Sequence, residues 1–154
     1  MVFLASFSLD TGESLYSLTN QFTTQYGPTP SGQYLHPDGP LTDPGTLIYI
    51  EREHYGEVFV QDIGRKLAAL LAAKQRPLGV GAFAEPLQVA PAWRSIRSWY
   101  QVSAQDRSLQ PQGERWLARR MGAEVLELNA GHAAMISQPL AIAKLIIKAA
   151  RAVA

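Results

Sequence analysis

The fold is decided by residues 98–128, which read SWYQVSAQDRSLQPQGERWLARRMGAEVLEL. Strand-forming residues dominate 98–103 and again 123–128, so we predict a strand at each place. The polar turn 104–110 and a helix that begins at Pro111 lie between them, because proline fits the first position of a helix. A strand, a helix and a strand joined by so short a crossover predict parallel pairing with a right-handed connection. The sheet is therefore predicted to be of the α/β type.

The first half of the chain contains fewer regular patterns. Its apolar start predicts a buried strand over 2–7. Turn formers are concentrated in 10–46, so this part is predicted to be mostly loop, with one short helix around 14–21. A further short strand is predicted at 46–50.

Apolar residues at helical spacing predict three more helices. Two lie at 53–59 and 63–74, and the last begins near Pro139. The apolar stripe of the second is predicted to be Leu67, Leu70 and Leu71. The apolar face of the last is predicted to be Ile142, Leu145, Ile146, Ala149 and Val153.

Composition and charge exclude several classes of partner. The chain has 154 residues, 47% of them hydrophobic, and its 14 basic and 13 acidic side chains leave a formal charge of +1. Such a balance gives no strong attraction to phosphate backbones or anionic lipid, so we expect neither nucleic acid nor a membrane as partner. The chain lacks cysteine, and its apolar start has neither the basic leader nor the length of a signal peptide. We therefore expect a cytoplasmic protein.

Asp106 and His132 are the candidate catalytic residues. Each follows a predicted parallel strand, and ligands of such sheets bind at the edge where the carboxyl ends of the strands lie. A carboxylate that orients an imidazole is the acid–base part of acyl-transfer chemistry. The alternative is that Asp106 is a turn residue bonding local amides and that His132 is an ordinary loop histidine.

The sequence around these two residues resembles the α/β-hydrolase superfamily. The resemblance is carried by residues 99–107, WYQVSAQDR, and by residues 131–139, GHAAMISQP. They look most like the branch of small esterases related to plant methylesterases and hydroxynitrile lyases, in which the acid follows the penultimate strand and the histidine precedes the last helix. The resemblance implies that Asp106 is the acid and His132 the base of a Ser-His-Asp triad.

The resemblance extends over nearly the whole chain and implies its organisation. Residues 10–14, DTGES, resemble the turn that ends the strand after the nucleophile helix. The resemblance implies the C-terminal part of an α/β-hydrolase fold, a short parallel sheet with flanking helices. A first core strand would occupy 1–9, a mostly helical and loop cap insertion 10–85, and a C-terminal α/β core segment with the acid and histidine loops 86–154. The activity implied for the complete fold is hydrolysis of a carboxylic ester, with a small apolar ester-like substrate or ligand.

A nucleophile does not stand out among the serines. None has glycine both two residues before and two residues after it, the pattern of a nucleophile elbow. Ser14 comes nearest, with Gly12 before it but Tyr16 after it, while Ser137 is predicted to cap the last helix and Ser103 to end a strand. Because members of a triad act as a unit, the chain is expected to be inactive alone. It is alternatively one part of a split hydrolase, or a non-catalytic small-ligand-binding or interaction module.

The resemblance also bears on partners, since the first strand would lie beside a nucleophile strand that the sequence does not contain. Its apolar edge therefore predicts self-association or contact with a partner chain.

Metal binding is the other hypothesis that the sequence invites. His36 and His54 lie near several acidic residues, Glu51, Glu53 and Glu57. No pair has the spacing that puts two imidazoles on one helix face, so we expect no metal and no cofactor.

Several apolar residues are candidates for a substrate pocket. The resemblance would have Tyr49, Tyr55, Phe59 and Phe83 line an apolar pocket, and the alternative is that they pack the core of the cap. Met135, next to the histidine, is predicted to fill a packing gap. These five residues are left outside the predicted site.

Overall fold

The computed structural model describes residues 1–153 of the chain. The strands are β1 (Val2–Leu4), β2 (Leu35–Pro37), β3 (Leu47–Ile50), β4 (Leu78–Gly79), β5 (Trp99–Ser103) and β6 (Glu124–Leu128). The helices are α1 (Leu15–Tyr26), α2 (Arg52–Val58), α3 (Arg65–Lys74), α4 (Val80–Ala84), α5 (Pro111–Arg120), α6 (Ala134–Ser137) and α7 (Pro139–Arg151), with short 3₁₀ turns at Pro30–Tyr34 and Ala92–Arg94. None of the helices within residues 1–153 is long and apolar enough to cross a membrane.

Three parallel strands form the core sheet, in the order β1-β5-β6. The predicted parallel unit at 98–128 is confirmed. Successive side chains of a strand point to opposite faces, and the buried residues of β5 follow this rule. Tyr100 and Val102 pack with Leu117 of α5, whereas Trp99 packs with Leu145 of α7. Helices α5 and α7 therefore cover opposite faces of the sheet.

The first strand is shorter than predicted. It ends at Leu4 because Ala5 adopts a positive φ of 42°, a left-handed conformation that interrupts the extended backbone. The next residue, Ser6, is held by the Tyr100 hydroxyl, which donates to its carbonyl oxygen at 2.5 Å and accepts from its backbone amide at 3.2 Å. The segment after β1 is thus fastened to the middle strand of the sheet.

The helix predicted at 14–21 exists but runs on to Tyr26. Ser14 caps its start, because the Ser14 hydroxyl accepts from the Ser17 amide at 3.1 Å and the Ser17 hydroxyl accepts from the Ser14 amide at 2.9 Å. Leu18 and Phe22 are buried in the cluster that contains Tyr100, so α1 packs on the core sheet. The packing of Leu18 and Phe22 stabilises the longer helix. The sequence did not predict this length, because most residues of the helix are polar.

A second sheet of three short antiparallel strands, in the order β2-β3-β4, lies in the middle of the chain. Strand β3 was predicted, but β2 and β4 are only three and two residues long and were not. Strands this short show no alternation that a sequence pattern could reveal.

The predicted apolar stripe of α3 is wrong for Leu67 and Leu70, whereas Leu71 packs against the buried cluster that contains Ala68 and Ala72. Ala68 and Ala72 are its buried residues, whereas Leu67 and Leu70 are 43% and 49% exposed. The reason is close packing against α2, since a Cβ added to Gly56 would lie 3.3 Å from the Ala68 Cβ. Small side chains let the two helices approach, which turns Leu67 and Leu70 outward.

The predicted face of α7 is correct for three of its five residues. Ile142, Leu145 and Ala149 are buried, whereas Ile146 and Val153 are exposed.

Replacing Gly113 of α5 by alanine should destabilise the core. The added Cβ would lie 2.7 Å from Cδ2 of Phe22, inside the main cluster, and such overpacking costs about 1–3 kcal/mol. Gly64→Ala is the control, because its Cβ would meet no atom within 4 Å. Urea denaturation should show a lower midpoint for Gly113→Ala alone, and equal midpoints for the two variants would contradict this packing.

Candidate active site

Asp106 lies in the tight turn that follows β5. Its backbone amide donates to the Ser103 carbonyl at 3.1 Å. Its Oδ1 accepts from the amides of Ser108 and Leu109 at 2.6 and 2.9 Å, so the side chain closes an Asx turn. Asp106 is therefore a turn residue, as the alternative interpretation expects, but the turn uses only one of its two carboxylate oxygens.

The other oxygen of Asp106 contacts His132. Nδ1 of His132 lies 2.6 Å from Oδ2 of Asp106, so the structure brings the two predicted site residues together. Since a carboxylate only accepts, the hydrogen-bonding pattern assigns the proton to Nδ1 of the neutral imidazole and leaves Nε2 as an acceptor. The Asp106 side chain has no exposed surface, whereas that of His132 is 24% exposed.

Two opposing effects act on the Asp106 carboxyl. Burial raises its pKa, but the hydrogen bond and charge of His132 outweigh this, so the pKa of Asp106 is lower than its ordinary value. Asp106 therefore stays ionised and can stabilise a protonated imidazole.

His132 faces an apolar cavity of about 510 Å³, and most of the other residues that line it lie within 29–83. The Phe59 ring lies against the imidazole, with ring centroids 4.6 Å apart. The four aromatic residues left outside the predicted site, Tyr49, Tyr55, Phe59 and Phe83, all line this cavity. Met135 is not among the lining residues and is partly exposed on α6.

The turn after α2 holds both loops of the pair. Asp62 accepts from the Gly131 amide at 2.8 Å, and the Gln61 side-chain amide donates to the Gln105 carbonyl at 2.5 Å. A Cβ added to Gly131 would lie 2.6 Å from Oε1 of Gln61, so a larger residue here would displace the Gln61 side chain. Sequence reasoning missed Gln61 and Asp62, because single polar residues in a loop carry no periodic signal.

The serines considered as nucleophiles lie elsewhere. Ser14 caps α1, and Ser103 ends β5, where its buried hydroxyl accepts from the Gln101 side chain at 2.9 Å. The prediction that Ser137 caps the last helix is wrong, because it lies in α6 and Gln138 precedes α7. Within residues 1–153, no hydrogen bond joins a serine hydroxyl to His132.

The two other histidines make different contacts. His54 stacks on Tyr34, with centroids 3.8 Å apart, and lies 3.9 and 4.0 Å from the carboxylates of Glu51 and Glu57. His36 is exposed on β2. Residues 1–153 contain no group of three or more His, Cys, Asp or Glu side chains placed to hold a metal ion.

Fold and geometry together define an α/β protein with a buried acid–imidazole pair at the carboxyl edge of a parallel sheet. The sequence model described as the alpha/beta hydrolase family matches residues 2–145, and the chain belongs to that family. No curated protein sequence matches it.

Solved structures share the fold over almost the whole chain. Polyneuridine aldehyde esterase is 19% identical with a TM-score of 0.71, and the match covers 96% of this chain and 60% of that one. A pyrethroid hydrolase is 20% identical with a TM-score of 0.72, covering 98% and 60%. A methylesterase from Arabidopsis is 15% identical with a TM-score of 0.71, covering 97% and 58%. The chain thus spans about 60% of the length of these structures.

Replacing Asp62 by alanine should loosen the histidine loop. The Gly131 amide would lose a charged acceptor, a bond worth about 1.5–3 kcal/mol, so its hydrogen exchange should accelerate by roughly tenfold to a hundredfold. Asp38→Ala is the control, since Asp38 accepts from the Leu47 amide at 2.8 Å and does not contact the histidine loop. Unchanged exchange at Gly131 in Asp62→Ala would show that the contact does not hold the loop.

The Asp106–His132 pair should make stability depend on acid pH. Because the pKa of Asp106 is lower in the folded chain than its ordinary value, its contribution is present above about pH 4 and is lost as the pH falls further. Urea denaturation of the wild type and Asp106→Asn should therefore give a larger stability difference at pH 6 than at pH 3. Equal differences at the two pH values would contradict this assignment.

Proposed function

We propose that Asp106 and His132 are the acid and base of a Ser-His-Asp site that hydrolyses carboxylic esters. The observation that carries the proposal is the 2.6 Å contact between the buried Asp106 carboxylate and an imidazole that opens into an apolar cavity. The family and its esterase-like neighbours agree with it. The serine belongs to a segment outside residues 1–153.

In this mechanism, Nε2 of His132 takes the proton of the serine hydroxyl while the serine oxygen attacks the ester carbonyl. Asp106 holds Nδ1–H and stabilises the imidazolium that forms. The imidazolium then gives its proton to the departing alkoxide, leaving an acyl-enzyme and an alcohol. Water, deprotonated by the same imidazole, releases the carboxylic acid and restores the serine.

The proposed substrate is a small ester with an apolar body. The cavity beside His132 has aromatic walls formed by Tyr49, Tyr55, Phe59 and Phe83. Such walls bury apolar groups. We propose a cytoplasmic location, where the absence of cysteine fits a reducing compartment.

The proposed partner docks on the open edge of β1. In residues 1–153 this strand pairs only with β5, and its residues Val2, Phe3 and Leu4 carry no charge. The opposite edge strand, β6, is protected differently, since Glu124 pairs with Lys148 and Glu127 pairs with Arg115. We propose that a strand bearing the nucleophile, from a partner chain or from another segment of the same chain, completes the sheet beside β1.

The test is ester hydrolysis by the chain with the partner that co-purifies with it. His132→Ala should reduce the turnover of a short-chain nitrophenyl ester by several thousandfold, and Asp106→Asn by a similar factor, because triad members act as a unit. His54→Ala is the control and should leave turnover unchanged, since His54 stacks on Tyr34 instead. Turnover that survives His132→Ala would overturn the proposal.

A second candidate, a non-catalytic ligand-binding module, is favoured by the cavity itself. It predicts that the purified chain binds an apolar fluorophore in this cavity, that Phe59→Ala weakens the binding, and that no partner confers ester hydrolysis. Covalent labelling of a serine within residues 1–153 by a fluorophosphonate would contradict both candidates, because each excludes a nucleophile among these residues.

A further inference from the structure

Glu114 is a carboxyl group buried without a cation. It lies in the first turn of α5 and has no exposed surface. One oxygen, Oε2, accepts from the Ser103 amide at 2.8 Å. The other, Oε1, accepts from no donor within residues 1–153. An ionised carboxylate buried in this way would leave one oxygen without a hydrogen-bond donor, which is costly.

The charge of Arg115 favours an ionised Glu114 only slightly, and it is the weakest of the effects on the pKa of Glu114. The guanidinium of Arg115, the next residue, forms two hydrogen bonds to Glu127, at 2.6 and 2.9 Å. The Tyr100 hydroxyl on β5 donates to the Ser6 carbonyl instead. The remaining neighbour is Asp106, itself acidic and bonded to His132.

Ser103 joins the two acids, because its amide donates to Glu114 at 2.8 Å and its carbonyl accepts from the Asp106 amide at 3.1 Å. Two neighbouring buried carboxylates cannot both be ionised at low cost. Burial, and then the charge of Asp106, raise the pKa of Glu114 to about 10. The pKa of Asp106 moves down, although burial opposes this, because His132 is its partner. The pair therefore separates into one neutral acid and one carboxylate.

We propose that Glu114 is a positioning residue that supports Asp106 from the core side as a neutral carboxylic acid. It accepts the Ser103 amide with one oxygen and donates its proton to the Asp106 carboxylate with the other. Asp106 then receives four donors: the amides of Ser108 and Leu109, the imidazole of His132 and the Glu114 hydroxyl. The inference rests on the proposed function, since positioning matters only if Asp106 serves His132.

The test follows the Nδ1–H resonance of His132 by NMR in the wild type, Glu114→Gln and Glu114→Leu. Glutamine is neutral, and its amide can accept from Ser103 and donate to Asp106. Glu114→Gln should therefore leave the chemical shift of this resonance close to its wild-type value. A large displacement of the resonance in Glu114→Gln would show that a negative charge beside the Asp106–His132 pair had been removed, and it would overturn the proposal.

Glu114→Leu tests the positioning role. It removes both hydrogen bonds, so the downfield Nδ1–H resonance of His132 should broaden or vanish, while Glu114→Gln retains it. Glu127→Gln is the matched control, because it removes an exposed carboxylate bonded to Arg115 and should leave that resonance unchanged. A resonance retained in Glu114→Leu would overturn the positioning role.

If Glu114→Leu does not fold, the carboxyl ¹³C shift of Glu114 in the wild type decides the question. It should remain at the position of a protonated carboxyl from pH 5 to pH 8, and the shift of an ionised carboxylate in this range would overturn the proposal. These readouts do not depend on ester hydrolysis. Inactivity of the chain would therefore bear on the proposed function alone.

Discussion

The candidate site depends on the parallel pairing of β5 and β6. Ser103 lies opposite Leu128 at the carboxyl ends of the two strands, so both loops leave the sheet at the same level. The pairing continues beyond the strands, because the Ala104 amide donates to the Leu128 carbonyl and the Gln105 amide to the Ala130 carbonyl. A slip of the register would separate the carboxylate from the imidazole, so the strand pairing fixes the distance between them.

Small residues let α2, α3 and the turn after α2 pack close to this site. Gly56 and Ala68 let α2 and α3 pack closely, and Gly131 lets the turn at Gln61 and Asp62 approach the histidine loop. The same turn brings the Phe59 ring onto the imidazole. Small residues at these two contacts therefore place the turn after α2 and the Phe59 ring beside His132.

The sequence predicted the parts of the molecule whose signals are local. Pro111 and the arginines before Gly122 mark both ends of α5, and the strands on either side have strong β formers. The parallel unit, and the approach of the two loops that follow its strands, could therefore be predicted. The face of α3 could not be predicted, because periodicity shows that Leu67 and Leu70 share a side but not which side another helix covers. The role of Glu114 could not be predicted, because acidic residues in its position usually have a different role. An acidic residue in the first turn of a helix normally complements the helix dipole at the surface, whereas here that turn faces the end of β5.

The two edges of the core sheet differ in a way that bears on how the site is completed. Glu127 and Glu124 of β6 form ion pairs with Arg115 of α5 and Lys148 of α7. Charged side chains on an edge strand protect it from pairing with a further strand. β1 has no such protection, and the backbone turns sharply at Ala5, just beyond the last paired residue. Phe7 follows β1 and lines the same cavity as His132. In the proposed function, a nucleophile strand that pairs with this edge would therefore have a route to the cavity that contains the imidazole.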